Sequence, residues 1–218
     1  MARRSRLVAG IGGAATAMGL LAVQFTGGWE GLRLAAYQDV IGVWTACYGE
    51  TKGIRPGMKF TRDKCDSIFI ASLTEHEAGM RACLKAPDTI PDRTYVALVS
   101  FTYNVGTGAF CHSTLRRLVD AGNLKAACEQ LPRWNRAGGK VVRGLVNRRA
   151  AELDLCLSGL SGGTVTDAPR PHQKPADPAI KTPGSPGTAN LPIGLLVAAG
   201  IGLAGFVAFL VLRRWRKG

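Results

Sequence analysis

An uncharged apolar run near the C-terminal end constrains this chain more than any other feature. Residues 191–212 read LPIGLLVAAGIGLAGFVAFLVL, and the basic stretch RRWRKG follows at 213–218. The length matches the roughly 20 apolar residues that span a bilayer as a helix. A buried core helix does not normally run so far without a polar residue. The sequence therefore predicts a transmembrane helix over 191–212 and a basic cytoplasmic tail after it, because Lys and Arg collect on the cytoplasmic side.

A second, weaker apolar run begins the chain. Arg3, Arg4 and Arg6 precede the uncharged segment 7–25, which several glycines and alanines dilute. A basic start followed by an apolar stretch addresses a chain to the secretory machinery, either as a cleaved signal peptide or as an uncleaved anchor. No good cleavage site ends the run, which favours an N-terminal transmembrane anchor over residues 1–25. With both basic ends in the cytoplasm, the residues between the two spans face the outside.

One domain and one linker lie between these runs. Residues 161–190 are rich in Pro, Gly, Ser and Thr and include PRPHQKPADPAIKTPGSPG. Such a composition cannot bury enough apolar surface to fold, so this stretch is predicted to be a linker. Residues 26–160 remain as a single domain.

Cysteine usage agrees with export. All six cysteines lie within 26–160, and none forms a CxxC pair. An even number in an exported domain predicts up to three disulfides among fifteen possible connectivities. The histidines, His76, His112 and His172, lack zinc-type spacing to any cysteine pair, so no metal site is predicted.

Charge restricts the class of partner. The formal net charge is +13, and the two basic tails hold about half of the excess. The domain that remains is moderately basic, which suits a polyanion such as nucleic acid, anionic lipid or bacterial wall polymer. Export from the cytoplasm argues against nucleic acid.

Residue patterning predicts a small hairpin followed by a larger helical part. WEGLRLAAY, 29–37, reads as a short helix, and 39–58 reads as a β-hairpin region with β-branched and aromatic residues between glycines. A helix then begins after a cap at Thr61, and a second, strongly apolar helix ends at Gly106. Three more helical segments complete the domain, so the predicted fold class is α+β.

One segment, WEGLRLAAYQDVIGVWTACYGET, carries two acids and a hydroxyl that suit a single reaction. Cleaving a glycosidic bond needs an acid that protonates the leaving oxygen and a second carboxylate that activates water or stabilises the cation. Glu30 fits the first role because a partly apolar pocket can keep an acid protonated. Asp39 fits the second, and the Thr45 hydroxyl can hold a water. The spacing alone also allows a non-catalytic interpretation, in which Glu30 and Asp39 are exposed surface acids and Thr45 is a strand residue present for its β-propensity.

The order of motifs resembles the T-even phage lysozyme family, glycoside hydrolase family 24. The spacing of Glu30, Asp39 and Thr45 resembles the catalytic triad of that family. YGET resembles its Tyr-Gly-x-Thr, ALVSFTYNVGTGAFCHSTLRRL its central helix pair, and RWNRAGGKVVRGLVNRRAAELDLC its C-terminal motif. The resemblance covers about 26–157. Position 50 departs from it, with Glu50 where many relatives have His.

The resemblance implies a lysozyme-like fold, with a small hairpin lobe and a larger helical lobe, and a muramidase activity that needs no cofactor. The expected substrate is the β-1,4 bond between N-acetylmuramic acid and N-acetylglucosamine in peptidoglycan, and its cleavage lyses the host cell. Glu30 would be the general acid, Asp39 would orient or activate the water, and Thr45 would be its hydroxyl partner. The family usually inverts the anomeric centre.

Weaker expectations concern other residues that the resemblance covers. Tyr103, Asn104 and Gly106 lie where relatives line the cleft and are predicted to bind substrate, although Tyr103 suits a core position equally well. Arg148 and Arg149 are expected to fix helices or to meet the wall polymer rather than to do chemistry.

Topology suggests regulation. The Gly and Ala content of 7–25 resembles the signal-anchor-release segments of endolysins from phages of Gram-negative hosts. Release of this segment would activate a domain in the periplasm, while 191–212 would keep it at the inner membrane. Two alternatives stay open, a non-catalytic membrane-anchored wall-binding scaffold and a chitinase-like hydrolase.

Overall fold

Seven α-helices and three two-stranded antiparallel sheets make up the part of the chain that the computed structural model describes, residues 4–10, 13–39 and 41–163. The mostly helical content with small sheets confirms the predicted α+β class. The helices are α1 (Ala17–Glu30), α2 (Arg62–Ala82), α3 (Asp92–Val105), α4 (Thr107–His112), α5 (Thr114–Asp120), α6 (Leu124–Cys128) and α7 (Arg143–Leu160). The strands are β1 (Val8–Ala9), β2 (Ala14–Ala15), β3 (Arg33–Gln38), β4 (Trp44–Cys47), β5 (Arg136–Ala137) and β6 (Lys140–Val141). The strands pair in chain order, β1 with β2, β3 with β4 and β5 with β6.

Helix α3 is the centre of the helical lobe. Its residues 93–102 are all buried, which fits a sequence that is apolar around most of the helix. Helices α1, α2 and α7 pack against it. Each fully buried large apolar side chain contributes roughly 1.5–3 kcal/mol relative to exposure, so this central helix fixes the arrangement of the three helices around it.

Local signals place the ends of two helices where the sequence predicts them. Thr61 caps α2, since its hydroxyl accepts a hydrogen bond from the Lys64 N–H at 3.2 Å. Gly106 ends α3 with a φ of +87°, a conformation that glycine adopts without a Cβ penalty, and its N–H donates to the Thr102 carbonyl.

The segment predicted to be a short helix at 29–37 is different, and that prediction is wrong for most of its length. Helix α1 ends at Glu30 because Gly31 has a φ of +80°, and its N–H donates to the Gly27 carbonyl at 3.3 Å. Strand β3 then pairs with β4, with Tyr37 opposite Thr45 and an irregular register before that pair. Pairing with the second strand of the hairpin therefore overrides the helical spacing of 29–37.

The N-terminal anchor was expected to end at residue 25, but α1 crosses that boundary without a break. Within α1, Leu21, Ala22, Val23 and Phe25 are buried in the core of the domain. None of the helices in the described ranges is long and apolar enough to cross a membrane. The structure thus does not support the N-terminal transmembrane helix, because residues 17–25 are used to build the domain.

The remaining membrane features fall beyond residue 163. The transmembrane helix at 191–212, the basic tail at 213–218 and nearly all of the linker at 161–190 lie outside the described residues. They stay predictions.

Three disulfides connect cysteines that are neighbours along the chain. Cys47 pairs with Cys65, Cys83 with Cys111, and Cys128 with Cys156. The first joins the β3–β4 hairpin to α2, the second joins the end of α2 to α4, and the third joins α6 to α7. Each cross-link therefore connects two different elements of the fold.

Candidate active site

Glu30, the last residue of α1, is held by an ion pair. Its Oε1 lies 2.7 Å from Nη1 of Arg148 on α7, and the Glu30 side chain keeps about a quarter of its surface exposed at 24%. Gly31 turns the backbone away directly after it. The carboxyl group is therefore fixed in orientation and still accessible from solvent.

Arg148 is almost completely buried, with 5% of its side chain exposed. Besides Glu30, its Nε donates to Glu152 at 3.1 Å and its Nη2 to the Ser100 carbonyl at 3.3 Å. Burial disfavours the cation, but the charges of Glu30 and Glu152 outweigh it and raise the pKa of Arg148 above its ordinary value. The arginine stays charged and supplies a rigid support for Glu30.

Asp39 lies in the turn between β3 and β4. Its Oδ1 accepts hydrogen bonds from the N–H groups of Ile41 at 3.0 Å and Val43 at 2.8 Å. Its Oδ2 is buried and has no hydrogen-bond partner among the described residues. One oxygen therefore fixes the turn, and the other keeps its capacity to accept a hydrogen bond.

Thr45 lies on β4 and is 1% exposed. Its hydroxyl donates to the Val43 carbonyl at 3.1 Å. The backbone of Val43 also donates to Asp39 Oδ1 and accepts from the Asp39 N–H at 2.9 Å. The single residue Val43 thus connects the second acid and the hydroxyl, and the Thr45 oxygen keeps lone pairs for a further hydrogen bond.

Tyr103 lies near the end of α3 and packs among other aromatic rings. Its ring packs edge-on against Phe69 at 5.4 Å and is tilted against His76 at 4.8 Å, measured between ring centroids. Burial raises the pKa of Tyr103, and the negative charges of Glu30 and Glu50 add to the increase. The Tyr103 hydroxyl therefore stays protonated throughout the physiological pH range.

The other two residues predicted to bind substrate have structural contacts. The Oδ1 of Asn104 accepts a hydrogen bond from Arg149, and Gly106 connects α3 to α4. Burial lowers the pKa of Arg149 to about 10, and its guanidinium lies 3.0 Å from Glu152 in an ion pair. Substrate binding by Asn104 and Gly106 stays a prediction.

No cluster of three or more His, Cys, Asp or Glu side chains that could hold a metal ion occurs in the described part of the chain.

Residues 27–152 match the model of the family described as phage lysozyme. The chain belongs to the phage lysozyme family. The matched segment contains Glu30, Asp39 and Thr45. The match confirms the resemblance and the predicted enzyme class, because a lysozyme is a glycoside hydrolase.

Relatives and solved structures agree with this membership. The chain is 42% identical over 162 residues to the SAR-endolysin of Bacteriophage PS119 and 40% identical over 162 residues to that of Enterobacteria phage P21; each alignment covers 72% of this chain and 96% of the relative. The fold is similar to the endolysin of Escherichia coli O157:H7 phage FAHEc1, with a TM-score of 0.56 and 33% identity over 63% of this chain and 90% of that one. It is also similar to the muramidase domain of SpmX from Asticaccaulis excentricus, with a TM-score of 0.56 and 29% identity over 62% and 94% of the two chains.

The contact between Arg148 and Glu30 in this phage lysozyme was not predictable from the sequence. Arg148 was expected to fix helices, and its bond to Glu152 lies within α7, but its bond to Glu30 joins residues 118 positions apart. Glu152, fully buried and bonded to the Ser100 hydroxyl at 2.8 Å, was not singled out. A charged residue predicted on a helix gives no sign of its partner on another element, so only the fold reveals this network.

Proposed function

We propose that this phage lysozyme is an endolysin that hydrolyses the β-1,4 bond between N-acetylmuramic acid and N-acetylglucosamine in peptidoglycan. The observation that carries the proposal is the pair of independent supports for the two acids. Arg148 fixes Glu30 from the helical lobe, and the backbone of Val43 fixes Asp39 within the hairpin. Two carboxyl groups held on separate elements suit a reaction that needs one group on each side of the sugar.

The proposed chemistry assigns one proton transfer to each acid. In the protonated form of Glu30, Arg148 still occupies Oε1, so the proton passes from Oε2 to the glycosidic oxygen as the bond to the anomeric carbon breaks. A water held by Oδ2 of Asp39 and the hydroxyl of Thr45 attacks that carbon from the opposite face and gives a proton to Asp39. The products are a free muramic acid reducing end and the released alcohol. The two carboxyl groups regain their starting states by exchanging protons with solvent, and the anomeric centre is inverted.

Substrate class is tested with the chain truncated after residue 163 and refolded under oxidising conditions. Release of reducing ends is measured from purified peptidoglycan and, in parallel, from chitin. The proposal expects muramic acid reducing ends from peptidoglycan and little release from chitin. Preferential release from chitin supports the chitinase-like alternative, and no release from either polymer by a folded enzyme supports a wall-binding scaffold.

We also infer that the N-terminal segment anchors the enzyme in the inner membrane and that the domain acts in the periplasm after this segment leaves the bilayer. The names of the relatives at 42% and 40% identity, SAR-endolysins, support this inference. So does the position of α1, because residues 17–25 cannot lie in the bilayer and in the core of the domain at once. Glu30 ends the same helix, so departure from the membrane and assembly of the site become one event.

Contacts of the N-terminal residues with the domain support the same inference. Arg6 donates its backbone N–H to the buried carboxylate of Glu77 at 2.7 Å, and Ser5 donates its hydroxyl to that carboxylate. The Arg6 guanidinium lies 2.6 Å from Asp92 and 4.3 Å above the ring of Tyr95. Arg6, one of the basic residues predicted to lie in the cytoplasm before release, therefore has a specific binding position in the folded domain.

These N-terminal contacts continue directly into α1. The Leu7 carbonyl accepts the Thr16 N–H at 2.9 Å, and the Thr16 hydroxyl caps α1 by accepting from the Gly19 N–H at 3.1 Å. A Cβ at Gly19 would overlap the Leu7 carbonyl, so glycine is needed where the two segments meet. Docking of residues 5–7 thus stabilises the helix that ends at Glu30.

We also propose that residues 191–212 keep the enzyme at the membrane after the N-terminal segment is released. The following experiment tests activation by release. The full chain is embedded in vesicles, the membrane is depolarised, and accessibility labelling follows the N-terminal segment while reducing-end release is measured. Activity that appears when the N-terminal segment becomes accessible supports activation by release. An enzyme that stays inactive after its N-terminal segment has left the bilayer contradicts it.

A further inference from the structure

The proposed reaction depends on the separation between two elements that carry its groups. Glu30 ends α1, whereas Asp39 and Thr45 belong to the β3–β4 hairpin. An inverting glycosidase needs roughly 6.5–9.5 Å between its carboxyl groups to hold the attacking water, and a retaining one needs only about 5–5.5 Å. Whatever fixes the hairpin against α1 therefore controls whether a water fits.

Tyr48, directly after β4, makes a close contact with α1. A Cβ built on Gly27 would lie 2.8 Å from Cε1 of the Tyr48 ring and 3.3 Å from its Cδ1 and Cζ. Real Cβ atoms do not approach other atoms as closely as 2.8 Å, so only glycine permits this seat for the ring. Gly27 precedes Glu30 by three residues, which puts the two on the same side of the helix. The hairpin therefore rests on α1 one turn before the acid.

The Tyr48 ring is also held from α2. Its hydroxyl donates to Oδ1 of Asp66 at 2.5 Å, and its ring stacks on Phe69 with centroids 4.5 Å apart and an interplanar angle of 29°. The residue before it, Cys47, has a φ of +56° and is cross-linked to Cys65 of α2. A ring 5% exposed and fixed by these contacts cannot swing away to admit a larger residue at Gly27.

The protonation state of Tyr48 supports this role. Burial and the neighbouring Asp66 carboxylate raise the pKa of the Tyr48 hydroxyl. The phenol therefore remains a hydrogen-bond donor throughout the physiological range, and the link to α2 persists.

We propose that Tyr48, seated against Gly27, is a positioning residue that sets the separation between Glu30 and the hairpin carrying Asp39 and Thr45. The proposal rests on the proposed function for its catalytic consequence, but the separation itself is a property of the fold. A larger residue at Gly27 moves the hairpin away from α1. A smaller residue at Tyr48 removes the obstacle to that larger residue.

The test combines substitutions on both sides of the contact. Gly27→Ala is expected to lower kcat on soluble peptidoglycan oligomers at least tenfold with little change in KM, because the polymer still binds while the water is misplaced. Tyr48→Phe keeps the ring against Gly27 but loses the hydrogen bond to Asp66, so it is expected to lose less kcat than Gly27→Ala. The double variant Gly27→Ala/Tyr48→Leu, which removes the atom nearest to the new Cβ, is expected to recover much of the kcat that Gly27→Ala loses.

Gly144→Ala is the matched control, since Gly144 also lies in a helix and a Cβ there meets nothing within 4 Å. It is expected to leave kcat unchanged. Thermal unfolding of every variant is measured alongside activity. The proposal is overturned if Gly27→Ala behaves like Gly144→Ala, if its lost activity only follows its unfolded fraction, or if the double variant is no better than Gly27→Ala.

A crystal structure of the Gly27→Ala variant separates this proposal from the proposed function. The distance between the carboxyl carbons of Glu30 and Asp39 is expected to exceed that of the parent by about 0.6 Å, the difference between 2.8 Å and the 3.4 Å of an ordinary contact. An unchanged distance overturns the positioning role even in an active enzyme. A changed distance in an enzyme whose parent releases no reducing ends supports the positioning role and contradicts only the proposed function.

Discussion

Arg148 Nη1 donates to Glu30 Oε1 at 2.7 Å and so joins α7 to the end of α1, across 118 positions of the chain. Arg148 also binds Glu152 and the Ser100 carbonyl, which anchors it to its own helix and to α3. Glu30, the proposed acid, is therefore held in this position only when α1, α3 and α7 are packed together.

Replacing Arg148 with Gln is expected to impair both stability and activity. It removes one of the two arginines that pair with the fully buried Glu152, and breaking a buried ion pair from one side typically costs about 3–5 kcal/mol. It also releases Glu30, so we expect kcat to fall at least a hundredfold. Urea unfolding and reducing-end release measure the two effects. Arg143→Gln, at an exposed position of the same helix, is the control; equal losses in both variants contradict a specific role for Arg148.

Asp39→Asn tests the second acid with little disturbance of the hairpin. An amide oxygen can still accept the hydrogen bonds from Ile41 and Val43, so the midpoint of thermal unfolding is expected to stay within a few degrees. The neutral side chain cannot take a proton from the attacking water, and we expect kcat to fall about a hundredfold or more. Full activity in a folded Asp39→Asn variant removes Asp39 from the mechanism.

Thr45 is tested by a pair of substitutions that differ in the hydroxyl. Thr45→Ser keeps the donor to the Val43 carbonyl and an acceptor for water, whereas Thr45→Val keeps the shape without either. We expect Ser to retain most of the kcat and Val to lose about tenfold or more. If Val is as active as Ser, the hydroxyl serves only the packing of β4.

The binding position of the N-terminal residues predicts a difference between two neighbouring arginines. Arg6→Gln and Arg4→Gln remove the same charge from the N-terminal segment, but Arg6 has the ion pair to Asp92. A partly exposed pair of this kind contributes up to about 1 kcal/mol, so we expect the rate of host lysis after depolarisation to fall severalfold for Arg6→Gln and little for Arg4→Gln. Asp92→Asn, which leaves the charge of the segment intact, is expected to resemble Arg6→Gln. Equal rates for the two arginine variants exclude this docking as a contribution.

Removal of the disulfide nearest the site is expected to affect activity more than its stability cost suggests. The chain-entropy model gives about 3 kcal/mol for a loop the size of the one between Cys47 and Cys65, and a similar value for the Cys128–Cys156 loop. Of these two, the first joins the β3–β4 hairpin, which carries Asp39 and Thr45, to α2. Paired Cys→Ala variants, compared by kcat in their folded states, are expected to show the larger loss for Cys47–Cys65. The same kcat in both contradicts a role for this cross-link in holding the hairpin.

Local features of the fold were predictable, and long-range ones were not. The cap of α2 at Thr61 and the end of α3 at Gly106 depend only on the backbone near those residues, so both helix ends could be predicted from the sequence. The pairing of β3 with β4 overrides the helical spacing of 29–37, because hydrogen bonds to a second strand decide the outcome and the residues of 29–37 do not specify that partner. The three disulfide pairs likewise depend on the packing of helices that cysteine spacing does not specify.

The candidate site also contains residues that could be predicted from the sequence and residues whose contacts could not. Glu30, Asp39 and Thr45 could be selected because their spacing and chemistry match a known motif. Arg148 could not be paired with Glu30, since its partner lies on another helix. Residues 17–25 have the composition of a membrane anchor, yet they build α1 and the core, because the same apolar surface suits a bilayer and a protein interior.

The role of Glu30 is tested most directly by reducing-end release from purified peptidoglycan by the refolded chain truncated after residue 163, compared with its Glu30→Gln and Glu129→Gln variants. Glu129 is an exposed glutamate that provides the matched control. We expect the parent and Glu129→Gln to release muramic acid reducing ends at similar rates, and Glu30→Gln to be at least a thousandfold slower while equally folded. A folded Glu30→Gln variant that keeps the activity of the parent contradicts the central claim that Glu30 is the acid.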